Sequence, residues 1–429
     1  MGREAMAQTK RILILTADTG FGHRSAANAI ADALRERRAE DVAVEIVNPM
    51  NHRRVPLLLR RSQQDYDRVV RQAPRLYKLG YKASGARVPG TIVESALTVL
   101  LYEAMREIVA RHRPDVIIST YPVYAYPLVA LFAVRQRAVP LLVVVTDLAR
   151  VHRVWFHKSV DLCLVPTPAV CDLALEAGLA PRQVRITGIP VSPRLSDDER
   201  APAAIRSELG WQPDRTTVLA VGSRRVGQLT GVLRALNHSG LPIQLAAVAG
   251  GDDELYQQLL RTEWHVPTHV YNFVEDMPSL MRAADCIVSK AGGLIVTEAL
   301  ACGRPLLLVD ALPGQEEGNA AYVIDGGAGE LARAPIEALE ILYHWLERGG
   351  DLLGRRAEKA RALGRPHAAY EVADLAWQAV PRRKKKPSLR IPSREKIVAL
   401  LRRHGVAWKE PAKGDPHSEA RAASRRGSG

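Results

Sequence analysis

The chain runs to 429 residues with a formal net charge of +14; 47% of the residues are apolar and 25% charged. That length exceeds what a single hydrophobic core fills, and the balance excludes a disordered or collagen-like chain. Cys163, Cys171, Cys286 and Cys302 have no C-x-x-C spacing and read as reduced core residues, and no apolar run approaches the roughly 18 residues that span a bilayer.

The opening MGREAMAQTKRILIL leads into a glycine-rich turn rather than a small-residue cleavage site, so no signal peptide is expected and any membrane contact is peripheral. Residues 11–15 (RILIL) predict a strand. The turn Thr19-Gly20-Phe21-Gly22-His23 follows, then a helix with Ala26, Ala27, Ile30, Ala33 and Leu34 on one face. Residues 42–47, 115–119, 141–146, 162–165 and 184–187 predict further strands, and the proline-rich, charged stretch 190–202 a linker. The pattern then restarts. Strands are predicted over 217–221, 244–249, 269–272, 286–289 and 305–309, with loops at Gly222-Ser223, Gly250-Gly251, Phe273-Val274, Ala291-Gly292-Gly293 and Pro313-Gly314-Gln315-Glu316. Strands so uniformly apolar are covered on both faces, as in a parallel sheet flanked by helices.

The expectation is therefore two doubly wound α/β domains in tandem, residues 1–195 and 196–380, whose crevices at the carboxyl ends of the strands face each other as one cleft. Residues 368–380 have helical spacing and either close the second domain or pack back on the first. Beyond them lies a basic tail, 381–429, with 15 Lys or Arg against 4 Asp or Glu. Within it, residues 394–404 (REKIVALLRRH) form a basic amphipathic pattern that can lie on a membrane or dock on the protein. A second concentration, 53–87, holds 10 basic residues, Arg60 and Arg61 among them, against Asp65 and Asp67. Such segregation suits an anionic surface, lipid or nucleic acid; few aromatics interleave with the tail charges, which weighs against single-stranded nucleic acid.

Three constellations carry chemistry. Gly20 to Ser25 place glycines and His23 at a helix N-terminus, where amides favour an anion and an imidazole can serve as a general base or simply cap the helix. The G-x-G-x-x-G spacing of a dinucleotide loop is missing, and Glu45 lies inside the second strand rather than after it. The stronger signal is Ser289-Lys290-Ala291-Gly292-Gly293-Leu294 with Glu298 one turn later: strand, glycine turn and helix cradle a diphosphate, and the acid can accept ribose hydroxyls. The loop Pro313-Gly314-Gln315-Glu316 suits sugar hydroxyls, or is an ordinary exposed loop. Third, Asp147 ends a strand ahead of His152, Trp155, Phe156 and His157, where no third ligand has the spacing of a zinc site.

On the motifs TADTGFGHRSAANAIADAL, VTDLARVHRVWFHKSVDLCLVP, RITGIPVSPR and NFVEDMPSLMRAADCIVSKAGGLIVTEALACGRPLLLVDALPGQEEGNAAYV, the chain resembles the monogalactosyldiacylglycerol synthase and processive diacylglycerol glucosyltransferase group of glycosyltransferase family 28. The resemblance covers roughly residues 10 to 380. It implies a GT-B fold of two Rossmann-like domains with the UDP-sugar in the second. It also implies an inverting transfer of a hexose, galactose ahead of glucose, to diacylglycerol or a related glycolipid, with no bound metal or cofactor. His23 corresponds to the base and Asp147 to an acid near the acceptor that orients it or replaces it. Gly222, Ser223, Ala291, Gly292, Gly293, Leu294 and Glu298 correspond to the diphosphate and ribose contacts, Phe273 and Val274 to the uracil site, and Pro313, Gly314, Gln315 and Glu316 to the sugar contacts. Gly22, Arg24, His152 and Trp155 fall on the acceptor side, with Arg60 and Arg61 toward the membrane. Gly222-Ser223-Arg224-Arg225 is poorer in glycine than the family's turn, although the two arginines can substitute electrostatically. The implied enzyme works peripherally at the cytoplasmic face of a membrane, with no nucleic-acid partner. A UDP-sugar 2-epimerase of the same architecture and a nucleic-acid-binding protein using the tail are the rival readings.

Overall fold

The computed structural model describes residues 9–18, 22–55, 60, 90–135, 139–222, 227–312 and 315–380. Thr19, Gly20, Phe21, Arg61, Ser223, Arg224, Arg225, Pro313 and Gly314, most of the basic stretch 53–87 and the whole tail lie outside them.

Two six-stranded, all-parallel sheets organise the chain. The first contains β1 (Lys10–Leu15), β2 (Val42–Val47), β3 (Val116–Ser119), β4 (Leu141–Val144), β5 (Leu162–Val165) and β6 (Val184–Ile186). The second contains β7 (Thr216–Val221), β8 (Ile243–Val248), β9 (Thr268–Tyr271), β10 (Cys286–Lys290), β11 (Leu306–Asp310) and β12 (Gly329–Leu331). Their orders are β2-β1-β3-β4-β5-β6 and β12-β11-β10-β7-β8-β9. In the first sheet the order reverses between β1 and β3, in the second between β7 and β10. A crevice opens at such a switch point beyond the strand ends. The loops beyond β1, β3, β7 and β10 are therefore where a ligand is expected, and the glycine turn after β10 falls on one of these positions.

Helices cover both faces of each sheet. Gly22–Arg38 buries Ala26, Ala27, Ala29, Ile30, Ala31, Ala33 and Leu34, the face expected from spacing, and keeps Arg35, Arg37 and Arg38 in its last turn, where cations suit the helix dipole. Its alanines permit close approach to Ile12, Ile14 and Ile118 of the sheet and to a second helix, Ala368–Gln378. That C-terminal helix thus packs back on the first sheet rather than closing the second. Ala369, Val372, Ala373 and Ala376 join the same cluster. Arg37 and Arg38 pair with Asp374, and Lys10 Nζ donates to the Ala379 carbonyl at 2.9 Å. The two halves also share a core. Ala26 and Leu148 from the first cluster with Val296, Ala299 and Leu300 from the second.

Candidate active site

The first half of the site gathers around Thr146, just beyond β4. His23 is the second residue of the Gly22–Arg38 helix, and its Nδ1 lies 2.6 Å from Thr146 Oγ1. Thr120 Oγ1, beyond β3, donates to the His23 carbonyl at 3.0 Å. The ring meets Tyr121 edge-on at 5.1 Å between centroids, and Trp155 at 6.1 Å. Burial pushes the imidazole down to about 4, because the charged form loses its water; a hydrogen bond between the ring and the Thr120 backbone acts in the opposite sense. His23 is therefore neutral at physiological pH.

Asp147 follows Thr146, and its carboxylate accepts the indole N–H of Trp155 at 2.7 Å. The expectation that this acid orients His23 is met at Nδ1 by the neighbouring threonine instead. Trp155 is fully buried, so it supports Asp147 from behind and has no surface to offer an acceptor or a membrane. His152 is exposed, but its Nδ1 accepts Val154 N–H at 3.2 Å and caps the short turn Arg153–Trp155. Arg24 pairs with Asp18 at 2.7 Å, and Asn48 donates to the same carboxylate. No cluster of three or more His, Cys, Asp or Glu suited to a metal occurs among the described residues.

The second half is built on β10. Ala291, fully buried, donates its N–H to Asp310 O, and Gly292 caps the helix Gly293–Ala301 with extended backbone. That helix start has no side-chain cap and no acid in its first turn, so its first amides offer an anion site. One turn on, Glu298 is raised to about 8 by burial, and its carboxyl has no hydrogen-bond partner among the described residues. Asn319, 1% exposed, donates to Ala291 O at 3.0 Å, while its Oδ1 is buried without a partner. Ser289 Oγ donates to Val221 O at 3.0 Å and ties the two strands of the switch point together. Gly222 is explained by packing: a methyl there would lie 2.8 Å from Leu255 and 3.0 Å from Val248 O. Phe273 is 70% exposed beyond β9, beside the half-buried Val274. Gln315 opens the helix Gln315–Asp325. Its neighbour Glu316 pairs with Lys290 and accepts Leu312 N–H at 2.9 Å.

The two halves adjoin. The carbonyl oxygen of Thr146, whose hydroxyl holds His23, is 4.0 Å from where a methyl on Gly293 would sit. Arg150 pairs with Glu317 across the gap at 3.3 Å, its stem lying over Gly318. Thr146, Lys290 and Asn319 lie inside stretches that the sequence marks, but each acts through a partner distant in the chain, which no local spacing announces.

Two parallel six-stranded sheets, with a glycine turn and helix start after β10 in the second and a histidine at a helix start in the first, make up a GT-B fold. The solved structure of MurG from Acinetobacter baumannii superposes with a TM-score of 0.57 at 18% identity, covering 86% of this chain and 100% of that one. The UDP-GlcNAc 2-epimerase from Neisseria meningitidis superposes at 0.54 and 14%, with the same coverage. Residues 23–191 match the model of monogalactosyldiacylglycerol (MGDG) synthase, and residues 220–363 that of the glycosyltransferase family 28 C-terminal domain. The monogalactosyldiacylglycerol synthase of Spinacia oleracea is 32% identical over 375 residues, spanning 85% of this chain and 71% of its own. Monogalactosyldiacylglycerol synthase 3 of Arabidopsis thaliana is 33% identical over 387 residues, spanning 87% and 81%. The chain belongs to the monogalactosyldiacylglycerol synthase family.

Proposed function

We propose that the protein transfers galactose from UDP-galactose to the free hydroxyl of diacylglycerol, in one inverting displacement at a membrane surface. The observation that carries this reading is the uncapped helix start at Gly293 with the unpartnered Glu298 carboxyl one turn further on. Together they answer a diphosphate and a ribose. His23 takes the acceptor hydroxyl's proton as the oxygen attacks the anomeric carbon; the bond from that carbon to the diphosphate breaks on the opposite face, and the electron pair leaves with UDP. Charge growing on the leaving group meets amides already aimed at it, which is preorganised stabilisation. Exposed Phe273 offers its ring to the uracil, and Glu316 its carboxylate to the hexose hydroxyls. Asp147, buttressed by Trp155, faces the acceptor.

The choice of galactose follows the curated relatives, whose names state that sugar. No helix among the described residues is long and apolar enough to cross a membrane, so contact through the basic surface around Arg53 and Arg60 is part of the proposal. The test is to incubate the protein with diacylglycerol vesicles and each labelled UDP-hexose and to identify the lipid product. Labelled monogalactosyldiacylglycerol is expected. A glucosyl product would overturn the choice of sugar, and conversion of UDP-sugar without acceptor would overturn the transfer.

A further inference from the structure

The β10–β11 register shifts between Ser289 and Lys290, a local irregularity of the kind that re-aims a side chain at a strand end. Lys290 consequently lies along the glycine turn. A methyl on Gly292 would sit 3.6 Å from its Cε and 3.8 Å from its Nζ. Its ammonium is paired with Glu316, and the two side chains are only 14% and 12% exposed. The second Glu316 oxygen accepts Leu312 N–H at 2.9 Å, which fixes the carboxylate. Desolvating two charges to make one such pair contributes little net stability, so a largely buried pair beside the glycine turn calls for another reason to be there.

The reason lies in what each partner would do once a donor arrives. A single carboxylate holds the ammonium, whereas a nucleoside diphosphate settling on the Gly293 helix start brings more negative charge to the same spot. An ammonium on a four-carbon stem can follow it by rotation. We propose that Lys290 is the cation that receives the donor diphosphate, that Glu316 holds it in reserve, and that diphosphate binding frees Glu316 for the hexose hydroxyls. The inference rests on the reading that a UDP-sugar occupies this turn. Sugar recognition then switches on only after the diphosphate is seated, and release of UDP restores the pair.

Titrations of UDP and UMP into the wild-type protein and into Lys290→Met, Lys290→Arg and Glu316→Gln test this, with thermal melts to establish that each variant is folded. Lys290→Met should lose roughly 10- to 100-fold in UDP affinity, the worth of a charged hydrogen bond, and change much less toward UMP. Lys290→Arg should recover most of the loss. Glu316→Gln should bind UDP at least as tightly as wild type, because the ammonium is released, while KM for UDP-galactose rises. Opposite signs for the two variants are the signature, since a bracing ion pair would weaken UDP in both. Wild-type UDP affinity in Lys290→Met, or equal weakening in both variants, overturns the inference and leaves the donor site standing. Failure of the wild-type protein to bind UDP removes both.

Discussion

His23 is held through a hydroxyl, and that choice has a measurable consequence. A carboxylate partner would stabilise the imidazolium and raise its pKa, whereas burial against Thr146, Tyr121 and Trp155 drives it down to about 4. The base form therefore persists throughout the physiological range. The acid limb of kcat/KM should fall near pH 4 rather than near 6.5, and His23→Ala should abolish that limb with a loss of roughly 100- to 10,000-fold in rate and unchanged UDP affinity. A limb near 6.5 would remove His23 as the titrating base. Glu298 shifts the other way, to about 8, by burial alone. The folded protein keeps that proton up to pH 8, while the unfolded chain releases it near 4.5, so stability is lost as pH rises between those values. Glu298→Gln escapes the loss. Its melting temperature should exceed that of wild type increasingly from pH 5 to pH 8, and a constant difference across that range would refute the assignment of the raised pKa.

The site elements are held by contacts that leave little room. A methyl on Gly364, just past the helix Pro335–Leu363, would lie 2.1 Å from the Leu300 carbonyl oxygen, in the helix that carries Glu298. Gly364→Ala must therefore push on the helix Gly293–Ala301. It should cost about 1–3 kcal/mol, as overpacking does, and weaken UDP binding; melts and titrations read both, and an unchanged affinity would separate this contact from the site. Much of this architecture is legible in the sequence, because most of the parallel strands are buried runs rich in Val, Ile and Leu, and eleven of the twelve strands are predicted. The twelfth strand, Gly329–Leu331, is not. It is three residues long and begins at a glycine where a methyl would lie 2.1 Å from Leu306 O, so neither length nor apolar pattern marks it. Helix Ala368–Gln378 is visible as a helix, but its docking on Gly22–Arg38 is decided by surfaces more than 300 residues apart. The glycine turn and the loop histidine were readable for their local chemistry. Thr146 and the Lys290–Glu316 pair were not, since partners 123 and 26 positions apart meet only once the sheets form.

Charge across the whole molecule is distributed unevenly, and where it lies bears on the membrane contact proposed above. His52, Arg53 and Arg54 all converge on the single carboxylate of Glu107, and Arg60 folds back on the carbonyls of Val55 and Arg53. Arg53 is 80% exposed at the side chain, so the group keeps a positive face toward solvent. Each basic residue near an anionic bilayer contributes about 1 kcal/mol, so reversing two of them in Arg53→Glu/Arg54→Glu should weaken sedimentation with phosphatidylglycerol vesicles by at least about tenfold. Exposed ion pairs contribute little to folding, so the melting temperature should hardly move, and UDP affinity should stay at the wild-type value. Raising salt should weaken the wild-type attachment and shrink the difference between the proteins, because charges separated by more than about 10 Å are screened at 0.1 M. Deleting residues 381–429 in parallel separates the two basic regions. If that deletion abolishes vesicle binding while the double reversal leaves it intact, the docking face belongs to the tail and the surface around Glu107 has no part in it.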